Sequence, residues 1–114
     1  MEPDLQPKDP LSQVVFVHDY LQLVFQDCAY TLYNLAIYSH GSVAIEQGKP
    51  GFCDALVALI DQSAEVHFNA ESGLVIQFLG GPSVTVSSSG PNTRGPEAWQ
   101  FGRLGGPYVV EQNA

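Results

Sequence analysis

His18 and Asp19 stand side by side early in the chain, and Glu65 and His67 stand two positions apart farther on. Imidazole beside carboxylate is the pairing that general acid–base chemistry and metal binding use, so these residues would form one centre if the fold made them converge. Adjacent residues in a strand point to opposite faces, so His18 and Asp19 cannot both serve one site without a bulge between them. Surface histidines and a hydrogen-bonded Asp19 are therefore expected. Ser87-Ser88-Ser89 has hydroxyls without a neighbouring base, and Ser63, Ser72 and Ser83 lie in no G-x-S-x-G turn. Gly102, Gly105 and Gly106 lack the strand-to-helix setting of a phosphate loop and read as flexible loop. Cys53, in the first turn of a predicted helix, has a setting that can activate a thiol, but its place beside an apolar stripe favours a packed structural cysteine. The residues assemble no catalytic, cofactor-binding or metal set, and a non-enzymatic protein without cofactor is expected.

The elements that would position these side chains are mostly strands. Phe52, Ala55, Leu56, Leu59 and Ile60 recur at the spacing of one helical face, which predicts a single helix over about residues 50–62 with Pro50 near its first turn. Before it, strands are expected over Val14 to Phe25, Tyr30 to Tyr38 and Val43 to Glu46, with turns at Asp27-Cys28 and Ser39–Ser42. After it, Ala64, Val66 and Phe68 alternate with Glu65, His67 and Asn69, giving one dry and one wet face. The next strand has Leu74, Ile76 and Phe78 on its dry side, and Val84-Thr85-Val86 a third. Pro96 to Phe101 reads as a single helical turn, and Tyr108 to Glu111 as an edge strand. The expected fold is α+β, an antiparallel sheet of about six strands in two meanders on one central helix.

A chain of 114 residues that is 45% apolar is one domain's worth and can bury a core without disulfides or metal. Residues 1–10, with Pro3, Pro7 and Pro10 among charges, are expected to be a loose or disordered arm, and residues 11–114 a single domain. Cys28 and Cys53 have no C-x-x-C spacing and read as reduced, buried thiols. No apolar run is long enough to span a bilayer, and a cytoplasmic protein is expected.

Net charge is −8. Between Asp9 and Thr93 the one base is Lys49, against Asp9, Asp19, Asp27, Glu46, Asp54, Asp61, Glu65 and Glu71. Phosphate recognition needs Lys and Arg, so nucleic acid and anionic membranes are disfavoured partners, whereas a basic protein would be steered in. Tyr20, Tyr30, Tyr33 and Tyr38 crowd the first meander, where tyrosines either fill the protein's own core or anchor an interface. The candidate partner-binding residues are thus Glu65, His67, Glu71, Tyr30, Tyr33 and Tyr38.

Asp19-Tyr20-Leu21-Gln22-Leu23-Val24-Phe25, Pro50-Gly51-Phe52-Cys53-Asp54-Ala55-Leu56-Val57-Ala58-Leu59-Ile60 and Gly95-Pro96-Glu97-Ala98 carry a resemblance. The chain resembles small uncharacterised bacterial proteins that share a Tyr-x-Gln-x-x-Phe strand, a Pro-Gly-aromatic-x-Asp-Ala-Leu helix and a Gly-Pro-Glu-Ala turn. Such proteins are suspected immunity proteins for toxins. The resemblance implies a bacterial, stand-alone protein and brings no catalytic residues. A binding module of immunity or inhibitor type that engages a basic partner is the leading expectation, and a homo-oligomeric (homodimeric) structural or small-ligand-binding protein is the alternative.

Overall fold

The computed structural model describes residues 4–69, 73–103, 105–106 and 108–113. Among them the strands are β1 (Leu11–Val17), β2 (Tyr20–Phe25), β3 (Cys28–Leu32), β4 (Ala36–His40), β5 (Val43–Glu46), β6 (Ala64–Asn69), β7 (Gly73–Phe78), β8 (Ser83–Val86), β9 (Glu97–Arg103) and β10 (Tyr108–Gln112). One helix, α1 (Phe52–Val57), lies between β5 and β6. The strands form two five-stranded antiparallel sheets, ordered β1-β2-β3-β9-β10 and β5-β4-β8-β7-β6.

This sheet-dominated α+β architecture corrects the single sheet of about six strands. Val14 to Phe25 is a hairpin that turns at His18-Asp19, and β1 reaches back to Leu11. The expected strand over Tyr30 to Tyr38 is two strands in different sheets, because the chain crosses between sheets at Tyr33–Leu35. There Tyr33 and Asn34 donate their backbone N–H groups to Ala98 O, at 3.0 and 3.2 Å. Pro96 precedes a strand rather than opening a helical turn: Ala98, Trp99 and Phe101 are buried, while Gln100 lies on the outer side. The β6-β7-β8 meander and the β10 edge strand match their expected positions.

The two sheets share one core. Alternation drives it: Leu21, Leu23 and Phe25 of β2 and Leu74, Ile76 and Phe78 of β7 point inward, and Phe25 stacks on Phe78 with centroids 6.4 Å apart. The helical stripe packs as read, with Phe52, Leu56 and Leu59 buried. The helix is shorter than expected because the chain must turn to meet β1. Leu59, Ile60 and Gln62 make tight bonds to residues three back, and Asp61 adopts a left-handed φ of 78°. Asp61 N then donates to Leu11 O at 2.8 Å, and Leu11 N to Gln62 O at 2.9 Å.

The segment before Leu11, expected to be a loose arm, makes specific hydrogen bonds from Asp4 to Asp9. Tyr30 donates its hydroxyl to Leu5 O at 2.5 Å, and Arg103 donates to Gln6 O at 2.8 Å and Asp4 O at 3.1 Å. Arg103 also meets Asp27 Oδ2 at 2.8 Å, and that carboxylate accepts the N–H groups of Lys8 and Asp9. Burial pushes the Asp27 carboxyl up, but the N–H groups of Lys8, Asp27 and Asp9 together with Arg103 outweigh it, so the net shift is downward from 3.8. A lowered folded value means that Asp27 stabilises the fold above pH 3.8 and that this stabilisation is lost as pH falls through the folded value. Acid titration of stability should therefore show a loss below about pH 4 in the parent that is smaller in Asp27→Asn.

Candidate functional site

β6 is an edge strand, and its wet face presents Glu65 and His67. Both side chains are largely exposed, with Glu65 Oε1 3.8 Å from His67 Nε2. Alternation placed these two residues correctly. Glu71, the third acidic candidate, lies outside the described residues.

The tyrosine candidates separate. Tyr30 is 0% exposed, tilted against Phe101 at 4.9 Å and Trp99 at 6.1 Å. It belongs to the protein's own core and offers no surface, and burial pushes its hydroxyl pKa up. Tyr38 packs partly against that core from β4. Tyr33 lies at the other side of the first sheet, half-buried and edge-on to Tyr20 at 6.1 Å, and its hydroxyl pKa is raised by burial and then by Glu97 and Tyr20.

His18 and Asp19 do not join His67. They occupy the β1–β2 turn, almost wholly exposed, at 3.7 Å from each other, and border a shallow cavity with Tyr33, Arg94 and Glu97. His67 has Glu65 as its acidic neighbour and does not line the cavity beside His18 and Asp19. Among the described residues no cluster of His, Cys, Asp and Glu is fit to hold a metal ion.

The cysteines differ from the expected pair of buried thiols. Cys28 is buried, and burial, followed by the charge of Asp27, pushes its pKa up to about 12. Cys53 points away from the helix's packed face and is exposed. A thiol reagent at pH 8 should modify Cys53 in the folded protein and reach Cys28 only after denaturant is added. Mass spectrometry of the labelled protein checks it, and double labelling without denaturant would contradict this core.

The edge of β6 carries the most distinctive geometry. Gln6 spans the strand's backbone at Val66: its Nε2 donates to Val66 O at 2.6 Å and its Oε1 accepts from Val66 N at 2.7 Å. A side-chain amide thus makes the two bonds that a neighbouring strand would make. Cavities open on either side of Gln6. One, of about 410 Å³, is lined by Val66, Phe68, Trp99, Val109 and Glu111 together with Asp4 and Leu5. The other, of about 560 Å³, is lined by Ala64, Glu65, Phe78 and Leu79 among others. Phe68 remains 40% exposed although it meets Trp99 edge-on at 5.5 Å. Trp99 Nε1 is buried and has no hydrogen-bond partner among the described residues.

No local signal marks Gln6, since its partner lies sixty residues along the chain. Phe68 reads from the sequence as ordinary dry face, and its exposure follows from its strand being at the edge.

The outer face of the first sheet is of another kind. Its register rows, Val15–Gln22–Thr31–Gln100–Val110 and Gln13–Val24–Ala29–Gly102–Tyr108, carry no charged side chain. No helix of the described residues is long and apolar enough to cross a membrane. No family model matches the chain, and neither a curated protein nor a solved structure matches it at a significant level.

Proposed function

We propose that this chain is a non-enzymatic protein-binding module, of the immunity or inhibitor type, whose acidic β6 edge engages a basic partner. The observation that carries the reading is the joint exposure of Glu65, His67 and Phe68 on a terminal strand, with Glu111 and Asp4 beside the same groove. Charge draws a basic partner in and the exposed aromatic ring gives it an anchor. A net charge of −8 favours a partner of opposite sign over unspecific self-association.

A second reading, the homodimer, is favoured by the two charge-free rows on the outer face of the first sheet. Two copies meeting over these two rows would bring uncharged side chains together, with Asp27, Arg103 and Glu97 at the margins, and Gln22 and Gln100 flank Thr31 so that a twofold axis through Thr31 would pair them across copies.

Capture of the tagged protein from lysate of its source cells, followed by native mass spectrometry, tests both. The first reading expects a stoichiometric basic protein that dissociates as salt rises, and a Glu65→Lys variant that retains it about tenfold more weakly. A bare dimer that is insensitive to Glu65→Lys and broken by Thr31→Arg would select the second. If Glu65→Lys left partner affinity unchanged at low salt, the acidic β6 edge would not be the contact.

A further inference from the structure

We propose that the edge of β6 is a docking site for an extended strand of the partner polypeptide, and that Gln6 occupies this site in cis until the partner displaces it. The proposal rests on the protein-binding reading and specifies its mode.

Because Gln6 takes both backbone groups of Val66, Val66 and Ile76 are a non-hydrogen-bonded pair of the β6–β7 ladder. Alternation then turns the N–H and C=O groups of Ala64 and Phe68 toward the free edge as well. Gln6 satisfies one of these three residues, whereas an added strand would satisfy all of them. The cavities on either side of Gln6 provide the room for the rest of that strand.

The residues around the edge dictate the partner's sequence pattern. A strand laid against β6 sends alternate side chains to opposite faces. On the inner side they meet Val66, Phe68, Trp99, Val109 and Leu5, with Glu111 and Asp4 lining the same cavity, so they should be mainly apolar. On the outer side they lie beside Glu65 and His67, so they should be basic. The fitting occupant is an extended peptide that alternates basic and apolar residues. An open edge strand is an aggregation hazard, and the amide of Gln6 blocks it while the partner is absent.

The probe is a labelled, end-blocked heptapeptide of alternating Lys and Val, with a copy N-methylated at alternate amides and a copy carrying Thr for Lys. Trp99 is the chain's one tryptophan, so its emission reports occupancy of the groove alongside peptide anisotropy. The expected result is saturable binding of the Lys–Val peptide with a shift in Trp99 emission. Removing the competing amide by Gln6→Ala should tighten it about fivefold, and N-methylation should abolish it. Equal binding of the N-methylated peptide, an unchanged Trp99 emission, or no binding by either the parent or Gln6→Ala would overturn strand addition. Salt-sensitive binding that ignores N-methylation would overturn strand addition while leaving the basic-partner reading intact. Equal binding of the Thr–Val peptide, still lost on N-methylation, would support strand addition and overturn the basic-partner reading.

Discussion

Replacing Asn34 with Asp should destabilise the protein by about 4 kcal/mol at pH 7, lowering Tm by roughly 15 °C. Asn34 is 0% exposed and sits where the chain leaves β3 for β4. Its Nδ2 donates to Ser87 O at 2.7 Å and to Asn113 Oδ1 at 2.6 Å. Its Oδ1 accepts from Arg94 N at 2.7 Å and from Asn113 Nδ2 at 3.3 Å. One amide therefore ties together the crossover between sheets, the end of β8, the loop before β9 and the tail after β10. Aspartate has the same shape but replaces the Nδ2 donor with an anionic oxygen facing two oxygens, and buries a charge without a cation to match it. Burial would raise the new carboxyl's pKa, so the folded state would favour the protonated form. Stability lost at neutral pH should then return in part as pH falls and the acid regains a proton to donate. Urea unfolding at pH 7 and pH 4 measures both effects. A loss below about 1 kcal/mol at pH 7 would mean that the amide is not the junction's fastening.

That junction also explains what the sequence conceals. Strands with one dry and one wet face, such as Ala64 to Phe68 and Leu74 to Phe78, are legible because burial on one side imposes a period of two. Tyr33-Asn34-Leu35 contains neither glycine nor proline, and its break is made by Ala98 O, Ser87 O and Asn113, all far along the chain. Local pattern cannot announce such a break, so β3 and β4 read as one strand and two sheets read as one. The same limit applies to the site. Glu65 and His67 follow from alternation alone, whereas Gln6 at Val66, Trp99 behind Phe68 and Tyr30 beneath Leu5 depend on tertiary approach. Pro96 misled for a different reason: proline suits the start of a helical turn and the residue before a strand equally, and burial of Ala98, Trp99 and Phe101 against the opposite sheet selects the strand.

Gly73→Ala should cost about 3 kcal/mol or more, far beyond the penalty for an ordinary turn glycine. Gly73 opens β7 with a φ of +84°, and a Cβ there would lie 2.3 Å from Val86 O and 2.9 Å from Ser87 Cα. Those atoms are backbone at the end of β8, so no side-chain rotation relieves the contact. Gly90→Ala supplies the control, since Gly90 has a φ of +90° with open space around its would-be Cβ. It should cost only the left-handed strain, about 1 kcal/mol, so the difference between the two variants isolates the clash. The clash pushes on Ser87, whose carbonyl holds Asn34. Once β8 has been displaced, the bond from Asn34 to Ser87 is already weakened, and removing it should cost less than in the parent. A double-mutant cycle of Gly73→Ala with Asn34→Asp should accordingly be less than additive, by about 1 kcal/mol, whereas Gly90→Ala with Asn34→Asp should add. Strict additivity in the first cycle would show that the end of β8 yields to Gly73→Ala without disturbing the buried amide.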